Sequence, residues 1–562
     1  MGAHRAILVV AGGIPLLLVV TLLATIGYAA FRVPGAAGFT LSNFREVYSD
    51  PFIYKALLNT IVFAVIAVLT AAITAVPIAW LTERSDLPAR GMIFPLMTLS
   101  LLIPGFATAM GWLVLLHERV GIISHWISSL FSLERSPINV NNVIGMGFVQ
   151  GLTLTGLMFI MIASSFRAMD PALEESAEAH GLSLATRLRK VTFPLMWPSI
   201  LAASLYTLTV GFGSFDIPAV IGMGSNVFVF STLVYEQARP EGGIPHNELA
   251  AATSFLLFFV AILFSYWYLR VVRQSSRYAV VTGKGYRPKL VSLTRTQRVL
   301  GWTFVGIVVL LAAGLPFLAL LWTSLNRYFV LPSMSAFQNL TLEAYRTLSL
   351  SFAGPAIENT IILIFVVPTL TAIFSLAISW VIVRSELKGI SGAYDALAFT
   401  PHAIPSIILA LGAVVIGLWY VPASLPFYGT LNILLAVYIV TWLGFGTRVY
   451  NSALLQIHRE LDEAGSVFGL KRLTVLRKIL LPLIVPAVIY TWVWVALLVY
   501  RELTVAAFLA SQSNVVLSTF VWQQWQQDTS RGAALSIVMI LAMMPLIAIY
   551  FWAGRRMASR KS

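Results

Sequence analysis

Polar chemistry in this chain is concentrated in two matching segments. Residues 173–194 read LEESAEAHGLSLATRLRKVTFP and residues 461–482 read LDEAGSVFGLKRLTVLRKILLP. Glu175 matches Glu463, Gly181 matches Gly469, Arg189-Lys190 matches Arg477-Lys478 and Pro194 matches Pro482, all at one offset without a gap. In the first copy Asp170 suits an N-cap, Pro171 the first helical position, and Glu174 and Glu175 the positive end of the helix dipole. Gly181 suits the position just past the C-terminus. The expected element is a helix of about ten residues, well short of the roughly 20 that a bilayer crossing needs. Leu173, Ala177 and His180 are expected on one face, as are Leu461, Gly465 and Phe468, and the small central residue of each permits close approach. Docking to something in water is the chemistry these types support. An amphipathic connector resting on lipid headgroups is the alternative, and duplication in register favours docking.

Other reactive residue types are sparse. Asp216 lies 22 residues after Pro194 and Glu502 lies 20 after Pro482, so the two acids are expected in roughly equivalent places within apolar spans. Ionisable residues there are costly and often functional. With Arg501, Tyr500, Tyr206 and Tyr490 nearby, they offer hard oxygen donors suited to a trivalent cation. A structural reading stands beside this one: Asp216 caps a helix break, and Arg501-Glu502 pair with each other or with neighbours. The seven histidines are scattered, and with no cysteine there is neither a disulfide nor a thiolate metal site. No acid, base and nucleophile cluster at sensible spacing, which argues against a membrane-embedded enzyme. The only Gly-Lys pair, Gly283-Lys284, is followed by glycine, so no P-loop is present.

The elements that position these residues are membrane spans. A hydrophobic fraction of 58%, 11% charged residues and a mean hydropathy of +0.85 define an all-α polytopic membrane protein. Spans are expected near 7–31, 54–81, 91–116, 142–166, a fifth ending near 222, and 248–271. Six more follow near 298–323, 357–384, 394–420, 429–455, 484–510 and 533–554. The first run is longer than the apolar core of a cleaved signal peptide, which is about 7–15 residues. Residues 117–141 contain VGIISHWISSLF, a two-faced surface helix. Between the halves, Arg270, Arg273, Arg277, Lys284, Arg287, Lys289, Arg295 and Arg298 occur with no acid among them, which places this linker in the cytoplasm. The net charge of +14 therefore reports topology rather than nucleic-acid binding. The domain reading is 1–271, a linker over 272–297, and 298–562, with both termini cytoplasmic. Asn59-Thr60-Ile61 recurs as Asn359-Thr360-Ile361 and Ile103-Pro104 as Ile404-Pro405, so the halves are parallel repeats. A pathway between the halves is the expected architecture.

Both copies of the polar segment resemble the signature of bacterial ABC importer permeases, in which Glu-Ala-Ala precedes a glycine six positions after the Glu, then an apolar residue and Leu-Pro. The first copy has Glu175-Ser176-Ala177, Gly181, Val191 and Phe193-Pro194; the second has Glu463-Ala464-Gly465, Gly469, Ile479 and Leu481-Pro482. Ser176, Gly465, Val191 and Phe193 are departures. The resemblance implies the type I importer permease fold, two permease halves fused in one chain, and a short coupling helix in each half that sits on an ATPase subunit. It also implies two copies of a cytoplasmic ATPase that bind ATP and Mg, no cofactor or catalysis in this chain, and a bacterial inner membrane location. A periplasmic or lipid-anchored binding protein completes the set. The stretches 103–127, 165–181, 214–222, 453–465 and 500–522 are most similar to fused ferric-iron permeases. Related permeases carry thiamine, polyamines, phosphonates or sugar phosphates. A secondary transporter with parallel repeats fits the span count but not the paired docking signatures.

Overall fold

The computed structural model describes residues 3–559 except 171, 241, 276–289, 349, 386–387, 423, 426, 459, 462–466 and 468–471. Its described residues form helices and no strand beyond two isolated bridges. Ten helices are long and apolar enough to cross a membrane, and three further pairs of shorter helices meet at a sharp bend. Two of those pairs are the third spans of the two halves. Expected as single spans over 91–116 and 394–420, they break by 87° and 102°. The cause is the repeated Ile-Pro: Ile103 is extended, and Pro104 and Pro405 adopt nearly the same backbone angles just before a new helix begins. Proline has no N–H to continue the first helix, and it disfavours helical geometry in the residue before it. Counting each as one span gives the twelve expected crossings. The third pair, Pro218–Ser225 with Phe230–Ala238, bends by 74°.

Contacts divide the chain into two compact units that do not follow its halves. One gathers Met1–Pro51, Leu233–Phe258 and Leu342–Ser562; the other gathers Phe52–Thr232 and Phe259–Thr341. The first span of each half thus packs within the unit built mainly from the opposite half. Matched glycines explain the fit. In the first unit a side chain on Gly412 would begin 2.6 Å from the carbonyl oxygen of Leu22 in the helix Ala3–Phe31. In the second, a side chain on Gly111 would begin 2.5 Å from the carbonyl oxygen of Pro316 in the helix Leu315–Ser324. Backbone meets backbone at both points, and only glycine allows it.

The second unit also secures the chain as it leaves the linker. Val291 donates to Arg84 O at 2.9 Å and accepts from Asp86 N at 3.0 Å. The Asp86 carboxylate accepts the Leu293 N–H at 2.8 Å and Arg298 Nη2 at 2.6 Å. The Leu293 N–H, ahead of Arg298, holds the Asp86 carboxyl below its usual range. A capping box of Thr294 and Gln297 then opens the helix Arg295–Val309.

The repeated Asn-Thr pair has a physical role in each unit. Thr60 Oγ1 donates to its own Ala56 O at 2.7 Å and accepts the Phe230 N–H at 2.8 Å, at the start of the helix Phe230–Ala238. Thr360 Oγ1 donates to Ala356 O at 2.6 Å and accepts the Leu517 N–H at 2.8 Å, at the start of the helix Leu517–Gln527. Asn59 and Asn359 donate to Phe228 O and Val515 O, each at 2.9 Å. Each pair is an N-cap supplied from a different helix.

Gly412→Val is expected to lower the yield of monodisperse protein extracted from membranes at least tenfold. Gly354→Ala, where an added side chain meets nothing within 4 Å, should leave it unchanged. Size-exclusion profiles of the two variants side by side check this.

Candidate functional site

The first docking segment folds as a short helix, Ala172–Ala179. Asp170 Oδ1 accepts the Ala172 N–H at 2.9 Å, as expected of an N-cap. The other end is a full Schellman closure: Gly181 has φ +72°, its N–H reaches Glu178 O at 2.9 Å, and the Leu182 N–H reaches Ala177 O at 3.2 Å. Ser183 caps the next helix, which runs to Phe212. Pro194 lies inside that helix without ending it. A single widened turn over Leu188–Thr192 precedes it and absorbs the missing donor; Leu476–Leu480 does the same before Pro482.

Of the three residues expected on one face, Ala177 is buried while Leu173 and His180 are exposed, and His180 lies past the helix end. The inward residues are Glu174 and Ala177, three apart. Arg84 donates to a single oxygen of Glu174 through two nitrogens, with Nε 3.0 Å from Oε2 and Nη2 on the same oxygen. Thr192 Oγ1 donates to Oε1 at 2.5 Å. The two side chains are only 4% and 11% exposed. Arg84 ends the long span Pro51–Arg84 and Thr192 lies in the helix Leu184–Phe212 that follows the docking helix, so this buried carboxylate fixes the docking helix to two membrane helices. Sequence reading singled out Glu175 and passed over Glu174. The signal was the basic end of a span, Arg84, paired with an acid on a short helix. Glu175 is half-buried, while Ser176, Leu173 and Ala172 form the outward surface. Glu178 pairs with Arg187 at 2.9 Å and braces the helix against its successor. Glu463, Ala464, Gly465 and Gly469 lie outside the described residues.

The span acids do not occupy equivalent places. Ser214 donates to Gln150 Oε1 at 2.7 Å, and Tyr438 donates to Glu502 Oε2 at 2.9 Å. Ser231 donates to Ser214 O and Ser518 to Glu502 O, each at 2.6 Å. Every partner in the second set lies 287 or 288 residues after its counterpart, so Glu502 answers to Ser214 and Asp216 to Thr504. The Glu502 carboxylate accepts the Val505 N–H at 2.9 Å and the Ala506 N–H at 3.2 Å, capping the short helix Thr504–Leu509. Asp216 is half-buried, its Oδ2 3.2 Å from where a side chain on Gly105 would begin, at the start of the helix Gly105–Leu116. Tyr500 is buried and donates to Met539 O at 2.9 Å; Arg501 is half-buried at the end of the helix Leu481–Tyr500. Among the described residues no three His, Asp or Glu side chains are grouped to hold a metal.

An all-α bundle with proline-broken third spans, twofold capping and a short helix tied to the span ends defines a membrane permease. The chain belongs to the family of binding-protein-dependent transport system inner membrane components, whose model matches residues 75–278 and 307–562. It has the type I ABC importer permease fold in two fused halves. It is similar to the ferric transport system permease protein FbpB of Actinobacillus pleuropneumoniae, 22% identical over 468 residues that make up 82% of this chain and 65% of that protein. It is similar to the Fe(3+)-transport system permease protein FbpB 2 of Haemophilus influenzae, 24% identical over 91% of this chain and 92% of that one. A crystal structure of a bacterial alginate ABC transporter with a periplasmic protein is 21% identical over 46% of this chain and 94% of that chain, with a TM-score of 0.38.

Removing one partner of a buried ion pair costs about 3–5 kcal/mol, because the other charge is left stranded. Glu174→Ala is therefore expected to lower the thermal midpoint of the purified chain markedly. Arg84→Met with Glu174→Leu should recover most of that loss, as followed by detergent thermal unfolding.

Proposed function

We propose that this chain is the translocation subunit of an ATP-driven importer for ferric iron, handed over by a binding protein outside the membrane. The observation that carries the reading is the docking helix: a short polar helix with an outward surface of small and apolar residues, held by a buried carboxylate to two membrane helices. Motion imposed on such a helix passes into the spans without a flexible joint. Two cytoplasmic ATPase subunits supply that motion, one on each docking segment, and they bind the ATP and Mg. This chain contributes no catalytic group. Both termini and the basic linker lie on the ATPase side. Ferric iron is the cargo named for the two permeases similar over most of this chain. In this reading Asp216, Tyr500, Arg501 and Glu502 border the pathway, and Glu502 contributes by fixing the backbone there.

Direction requires ATP and loaded binding protein to favour different states, since a ligand shifts only equilibria in which its affinities differ. In proteoliposomes holding this chain, its ATPase and its binding protein, radiolabelled ferric iron is expected to accumulate only with ATP. Binding-protein-stimulated ATPase activity without iron uptake would move the cargo to a phosphonate, sugar phosphate, polyamine or thiamine. Uptake driven by an ion gradient without ATP would defeat the importer reading. Ser176→Arg, on the outward surface of the docking helix, is expected to abolish co-purification of the ATPase while the chain itself still folds.

A further inference from the structure

The second half carries span charges that the reading above does not use. Asp395 lies in the helix Lys388–Ala403 and Arg448 in the helix Leu431–Leu455, with Arg448 Nη1 3.5 Å from Asp395 Oδ1. The guanidinium also stacks over Phe399, 4.9 Å from the ring centre, and the His402 ring lies 5.7 Å from that of Phe399. Gly392, Asp395, Phe399 and His402 follow at three- and four-residue steps and make one stripe.

The matching positions of the first half carry no charge. The offset that relates Gly111 to Gly412 relates Phe94, Thr98 and Leu101 to Asp395, Phe399 and His402. The offset that relates Gln150 to Tyr438 relates Ile160 to Arg448. Phe94 instead packs on Phe159 with ring centres 5.6 Å apart. The charges are an addition to the shared fold, not part of what holds it together.

Exposure decides what they face. The Arg448 and Asp395 side chains are 50% and 40% exposed, although each stands seven residues inside its helix. At 1.5 Å per residue that is about 10 Å from the helix end. Arginine alone can reach back along its stem to the headgroups. Aspartate, with one methylene, cannot, and a carboxylate facing hydrocarbon is strongly disfavoured. The stripe therefore faces water. The open space lies on the carboxylate side of the pair: side chains built on Gly389 or Gly392 meet nothing within 4 Å, and Ala393 and Ala396 are exposed.

We propose that Asp395 is a contact for a positively charged solute on a water-filled translocation pathway, with Arg448 as the built-in competitor that keeps the contact weak. Arg448 has two supports, the carboxylate and the Phe399 ring, so it stays in place when a cation takes the carboxylate. A contact on a pathway has to be favourable enough to admit the solute and weak enough to let it leave. The proposal rests on the importer reading with a cationic cargo.

The chain has no cysteine, so Gly392→Cys places a single thiol in the open space beside Asp395. In membranes holding the full chain with its ATPase, that thiol is treated with a trimethylammonium-ethyl or a sulfonatoethyl thiosulfonate, and rates are referred to those of a free thiol. The cationic reagent is expected to react at least threefold faster, Asp395→Asn should remove the preference, and Asp395→Glu should keep it. Reaction with neither reagent, while a membrane-permeant maleimide does react, places the stripe in lipid and overturns the proposal. So do equal rates indifferent to Asp395→Asn, or a preference for the anion. In the iron-uptake assay Asp395→Asn should reduce uptake about tenfold, and unchanged uptake also overturns the proposal. If the unaltered chain imports no iron, the cargo reading fails, and the labelling preference still decides whether a cation contact exists.

Discussion

A backbone broken inside hydrocarbon must find partners for its exposed N–H and C=O groups on neighbouring helices, because no water is there to supply them. This constraint organises much of the permease. Helices are interrupted in both halves, and several of the freed backbone groups are met by side chains. Thr60 and Thr360 accept the first N–H of a helix they do not belong to. Ser231 and Ser518 close on carbonyls just past a helix end, and Glu502 receives two backbone donors at once.

The docking helix is the exception to that economy of small polar caps, since a full ion pair holds it. Burying Arg84 and Glu174 together gives a joint with defined geometry, and Thr192 fills a remaining acceptor site on the carboxylate. Leu480 stands where Thr192 does in the first half, and Arg384, at the end of its span, donates to Leu454 O and Ile457 O at 2.9 and 2.7 Å. Asp462, the counterpart of Glu174, lies outside the described residues.

Much of this was legible in the sequence because it rests on periodic or duplicated signals. Apolar length located the spans, and the register of Glu175 with Glu463 together with the Asn-Thr and Ile-Pro echoes marked the halves as parallel repeats. What was not legible depended on which side of a short helix faced inward. One step of sequence, Glu174 against Glu175, is 100° of rotation, and eight residues of mixed polarity do not define an inward stripe. Asp216 and Glu502 already differ by two residues when counted from Pro194 and Pro482, and that count pairs Glu502 with Ser214, as the hydrogen bonds do. The exchange of first spans between packing units has no local signal, since Gly111 and Gly412 are two glycines among 38.

That exchange bears on how the protein is made. Leu22 and Gly412, in contact in the finished unit, are separated by 390 residues of synthesis. At about 5–20 residues per second, the first span waits in the bilayer for about 20–80 s before its seat emerges. In water a helix with an unpaired face of Leu16, Val19, Leu22 and Ile26 would aggregate during such a delay. In a bilayer the lipid tails are as apolar as the missing partner, and the wait costs little. The membrane itself thus serves as the holding chaperone for a topology that a soluble protein of this contact order could hardly use.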